Sequence, residues 1–145
     1  METIFVIILI TIILLIGFRF FHKTAQEDTE QAIDEKLRFL TVQVAQSFTK
    51  STLVACSQEG VVRYYCIDYQ KAINLPALVA QNTDYFYSYY GNARIRLHTQ
   101  GGELVLYDFH NPDQNTTRPV FVPVLVRYPN ERIDQFGFVE VSVFS

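Results

Sequence analysis

The chain has 145 residues with a formal net charge of −3, and it carries twelve Phe, nine Tyr, no Trp and two Cys. That length admits one domain with a modest core, and single scattered Arg and Lys without a basic patch exclude the electrostatic footprint of a nucleic-acid binder. No P-loop, GxSxG, HExxH or dinucleotide fingerprint occurs, so the sequence points to no enzyme class, cofactor or metal.

Residues 3–18 contain no charge, and the first one after Glu2 is Arg19. A helix over residues 3–21 rises about 28 Å at about 1.5 Å per residue, close to the roughly 30 Å hydrocarbon core of a bilayer. This predicts a transmembrane anchor over residues 1–23 with the lipid bilayer as its partner. A secretory signal peptide needs a basic flank before its apolar core and a small-x-small site after it. The flanks here, Met1-Glu2 and Gly17-Phe18-Arg19, supply neither. The dominant isoleucines are poor formers of soluble helix and well suited to lipid. A span whose preceding segment has been removed stays open.

The remaining residues, 24–145, are expected to form an α+β domain. No Gly or Pro interrupts the chain between Phe18 and Cys56, so the helix is expected to continue as a stem over 24–55. Ile33, Leu37, Leu40, Val44 and Phe48 recur at intervals of three and four and form an apolar stripe, which should lie on a β-sheet supplied by the rest of the chain. Cys56 and Cys66 are too few for a zinc site and read as a disulfide; two buried free thiols are the alternative. Closing that loop stabilises by about 2.5–3 kcal/mol in the chain-entropy model.

Short helices are expected over 56–91. One runs from Ile67 until Leu75-Pro76 stops it. A second covers 77–90, with Leu78, Val79, Phe86, Tyr89 and Tyr90 on one face and Gly91 after its end. An antiparallel sheet is expected over 92–145. Residues 93–98 and 103–109 form a hairpin, and strands follow at 120–128 and 136–144. Pro123 cannot donate to a ladder, which predicts an edge or a bulge there. Val139, Val141 and Val143 mark the apolar face of the last strand.

Asn115-Thr116-Thr117 is the chain's single N-glycosylation sequon. Asp108 and His110 sit on the same face of a strand end, and His22 and His98 lie apart from them. The reading for these is surface residues rather than a catalytic pair. Tyr85, Tyr87 and Tyr89 belong to a tyrosine-rich run that is either a contact surface or a helix face buried on the sheet.

An N-terminal span, an amphipathic helix that continues it and a C-terminal antiparallel sheet together resemble the type IV pilin and pseudopilin architecture, and the small class III signal proteins of archaea. The resemblance implies a pilin-like fold and copies or sibling subunits as partners. It also implies processing of a basic-Gly leader ahead of the apolar run. Filament subunits of that type carry a glutamate at the fifth position that neutralises a neighbour's amino terminus. Glu2, three positions earlier, is the acid beside the span here and, with Tyr85, Tyr87 and Tyr89, a candidate subunit contact.

The expected role is a structural subunit of a surface filament or secretion apparatus, and the alternative is a non-polymerising, membrane-tethered binding or adhesion domain. Arg19 and Lys23 after the span would by themselves hold the domain in the cytoplasm. The cysteine pair and the sequon favour the outside, and a basic leader ahead of Met1 would reverse the charge bias.

Overall fold

The computed structural model describes residues 2–110, 118–129, 131 and 134–144. Its elements are α1 (Glu2–Thr49), β1 (Ala55–Gln58), β2 (Val61–Asp68), α2 (Tyr69–Gln81), α3 (Thr83–Tyr90), β3 (Ala93–Thr99), β4 (Gly102–Phe109), β5 (Val120–Arg127) and β6 (Gln135–Val143). The architecture is mixed α+β, and the chain divides into two compact units, Met1–Lys36 and Leu37–Ser145.

The first unit is helix. The stretch Val6–Lys23 is long and apolar enough to cross a membrane, and none of it is buried in protein. That length, composition and lack of protein cover are compatible with a membrane span. Thr11 fits because its hydroxyl donates to the Ile7 carbonyl at 2.7 Å, which returns a polar group to its own backbone.

In the second unit the last turns of α1 enter the core through Thr41, Ala45, Phe48 and Thr49. This line differs from the expected stripe. Phe48 is shared, Leu37 and Val44 are half-buried, and Ile33 and Leu40 are exposed. Small side chains at positions 41 and 45 form the buried line, and larger Leu40 turns outward. The two buried threonines cost little, because Thr41 donates to the Leu37 carbonyl at 2.8 Å and Thr49 to the Ala45 carbonyl at 3.0 Å.

The sheet is six-stranded, curled and largely antiparallel, in the order β1-β2-β5-β6-β3-β4. It differs from the expected sheet over 92–145 in two respects: β1 and β2 add residues 55–68, and β2 runs parallel to β5. The long β2 serves two partners. Residues 61–63 and Ile67 pair with β1, and residues 66–68 pair with β5. Between Arg63 and Ile67 the register against β1 slips, and Tyr65 adopts a positive φ of 59°. Pro123 sits in an interior strand, yet β2 reaches β5 only from Leu125 to Arg127. At Pro123 the strand is therefore locally an edge, as a missing N–H requires.

Pro76 does not stop the second helix, since α2 continues through it to Gln81. The start of α2 is fixed by Asp68, whose carboxylate accepts from the Gln70 and Lys71 amides at 3.0 and 3.3 Å. Its Ala72 and Leu75 are buried, and that anchorage offsets the proline's lost bond. The break falls instead at Asn82, after which α3 runs to Tyr90. Gly91 ends it with a φ of 61°, and its amide donates to the Tyr87 carbonyl at 2.8 Å. That positive φ suits glycine at a helix terminus.

One face of the sheet carries the core. Ile67, Ile95, Leu97, Val126, Val139 and Val141 are fully enclosed and meet Phe48 of α1, Ala72 and Leu75 of α2, and Phe86 and Tyr90 of α3. The alternation read in β6 holds, with Val139, Val141 and Val143 all buried.

Candidate functional site

The disulfide between Cys56 and Cys66 joins β1 to β2, with Cα atoms 5.3 Å apart. Both cysteines are buried, so the bridge staples the edge of the sheet and offers no accessible thiol.

Helix α3 divides its aromatic side chains between two sides. Phe86 and Tyr90 are buried, whereas Tyr85, Tyr87 and Tyr89 stand between 43% and 62% exposed. The exposed rings touch neighbours: Tyr85 and Tyr89 lie 5.1 Å apart, and Tyr87 lies 4.9 Å from Phe109 of β4. Tyr89, first by its nearby charge and then by a hydrogen bond, raises the pKa of Tyr85. The row is an outward aromatic surface, so Tyr89 does not share the buried face expected for it. Asn115 and the side chain of Glu2 lie outside the described residues.

The sheet face opposite the core carries two polar clusters, both built on β3. Strand alternation sends Ala93, Ile95 and Leu97 inward and Arg94, Arg96 and His98 outward. Arg94 Nε donates to Asp108 Oδ2 at 3.0 Å, and Asp108 Oδ1 lies 2.6 Å from His110 Nδ1. Arg94 Nη2 meets His110 Nε2 at 3.1 Å. With its proton on Nδ1, the imidazole donates to Asp108 and accepts from Arg94, so all three groups are mutually satisfied. The two residues noted at the end of β4 thus do pair, but with Arg94 as a third member that the sequence did not reveal.

Two residues along β3, Arg96 binds Glu103 at 3.0 Å and also Glu140, while His98 Nε2 lies 2.7 Å from the other Glu140 oxygen. Glu140 is buried, held between these two partners. Desolvation is the largest single influence on Arg96 and pulls its pKa down, but the bonds to Glu103 and Glu140 outweigh it and hold the pKa above the ordinary value. His98 stacks on Phe138 with ring centroids 4.7 Å apart, and His110 stacks on Phe144 at 4.5 Å. The alternation of Arg94, Arg96 and His98 was the available signal; their partners on β4 and β6 follow only from register.

Among the described residues no group of three or more His, Cys, Asp or Glu side chains is placed to hold a metal ion. The described surface thus carries two clusters of paired charges on the sheet and a tyrosine row on α3. The chain matches no family model, no curated protein and no solved structure.

Proposed function

We propose that the protein is a membrane-anchored, pilin-like or pseudopilin-like structural subunit of a surface filament or secretion apparatus, with its second unit outside the cytoplasm. The observation that carries this reading is the composition of α1. One helix, Glu2–Thr49, contains the bare apolar stretch Val6–Lys23 and ends in Ala45 and Phe48, which belong to the core beneath the sheet. A span bare of protein on every face leaves that surface open to lipid and to the spans of other copies, which supports assembly through it. The Cys56–Cys66 bridge supports the outside location, because disulfides persist in oxidising compartments.

The test is cross-linking in native membranes. With a single cysteine placed at Leu14, mild oxidation of a Leu14→Cys variant yields dimers, and a lysine-reactive reagent on the same membranes yields a ladder beyond dimer. Monomers alone in both experiments would refute assembly. An alkaline-phosphatase fusion after Ser145 is active if the second unit is external, and an inactive fusion refutes that placement. The exposed row Tyr85, Tyr87 and Tyr89 favours a second reading, a membrane-tethered binding domain. That reading gains if the protein stays monomeric in membranes.

A further inference from the structure

All three helices contribute to the core on one face of the sheet, through Phe48, Ala72, Leu75, Phe86 and Tyr90. Alternation sends Phe121 and Leu125 of β5 and Phe136 and Phe138 of β6 to the other face, where they are 55%, 47%, 63% and 37% exposed. Register joins them into one patch. Leu125 pairs with Phe136 and Pro123 with Phe138, and Phe121 meets Phe138 edge-on with ring centroids 5.6 Å apart.

We infer that this face is a self-association surface, through which two copies of the chain pack sheet on sheet around Phe121, Phe136 and Phe138. Size is the first argument. Six strands about 4.8 Å apart and about seven residues long give a face of roughly 600 Å² before side-chain relief. Side-chain relief brings that toward the roughly 800 Å² per partner of a standard protein interface, and it far exceeds what a small ligand covers.

Charge is the second argument. Arg94 pairs with Asp108, and Arg96 pairs with Glu103 and Glu140. The face therefore offers no block of one sign to an anionic membrane or a strongly charged partner, and covering it strands none of these charges. A near-neutral apolar surface with internally paired charges is complementary to itself, as a two-fold contact requires. Anchoring supplies the third argument: copies held in one bilayer by the same stretch share a plane, which raises their effective concentration. Only this last argument leans on the membrane reading, and the contact does not use the span.

The test uses the full chain in mild detergent. Light scattering gives a dimer at micromolar concentration, and Phe136→Asp or Phe121→Asp gives a monomer with an unchanged far-ultraviolet spectrum. A Phe136→Cys variant forms intermolecular disulfides about tenfold faster than Ile73→Cys on α2, as expected for sites at raised effective concentration. This comparison keeps the proposal testable if the aspartate variants fail to fold. A monomeric wild-type chain, or equal cross-linking at both positions, overturns it. So does a monomer that binds lipid vesicles through Phe136. Loss of ladders from Leu14→Cys with the Phe136→Cys dimer retained refutes the filament and keeps this contact; the converse refutes this contact alone.

Discussion

Tyr107 of β4 shows how a single side chain couples folding to pH. It is buried, and its hydroxyl donates to the Gly91 carbonyl at 2.7 Å. Burial first, then Tyr87 and Tyr90 nearby, push its pKa from 10.0 up to about 12. A raised folded pKa means that the neutral phenol's contribution is complete below the unfolded value and is lost as pH rises from about 10 toward about 12. Urea unfolding from neutral to strongly alkaline pH is expected to show that loss. The Tyr107→Phe variant shows a shallower decline, after a cost of about 1 kcal/mol at neutral pH for the missing hydrogen bond. Glu140 gives a second prediction. Glu140→Gln keeps the shape but weakens the bonds to Arg96 and His98, at a cost of about 1.5–3 kcal/mol in equilibrium unfolding. Neither role could be read locally, since Glu140 lies 44 and 42 positions from its two partners.

At the scale of elements, close approach between strands explains Gly137. A Cβ there would lie 2.7 Å from the His98 carbonyl oxygen and 3.0 Å from Val126 Cγ2. The obstacle is backbone on β3, which cannot rotate away. Gly137→Ala is therefore expected to cost about 1–3 kcal/mol and to lower the thermal midpoint, because β6 must shift against its neighbours. The bridge between β1 and β2 acts differently, by limiting the unfolded chain. The double variant Cys56→Ala/Cys66→Ala is expected to lose about 2.5–3 kcal/mol by denaturant titration, with the helices and the rest of the sheet retained. The disulfide could be read from two cysteines ten positions apart. The strands it joins could not, because a run as short as Val61–Tyr65 becomes strand only when β1 supplies a partner and the continuation of the chain at residues 66–68 pairs with β5.

For the whole molecule, the decisive feature is the apolar stretch of α1. Leu14→Arg places a charge near the middle of Val6–Lys23 and is expected to cost about 2.5–3.5 kcal/mol of insertion free energy. Alkaline extraction of membranes checks this. The unsubstituted chain stays in the pellet, and the variant shifts toward the supernatant. A soluble unsubstituted chain with its first twenty residues intact would remove the anchor and the filament together.

The sequence by itself determined what depends on neighbours in the chain. Uninterrupted hydrophobicity over residues 3–18 specifies an apolar helix long enough to cross a membrane, alternation specifies β3 and β6 and which of their residues point together, and Gly91 specifies where α3 ends. Tertiary structure decided what depends on partners far apart. Packing turned Thr41 and Ala45 to the core in place of Leu40, because the buried line of α1 carries small side chains. Burial of Ala72 and Leu75 carried α2 through Pro76. Pairing of β2 with β5 enlarged the sheet, and register brought Arg96, His98 and Glu140 together beside an open aromatic face. Local energies follow from adjacent residues, whereas these contacts exist only once loop closure has brought distant segments into register.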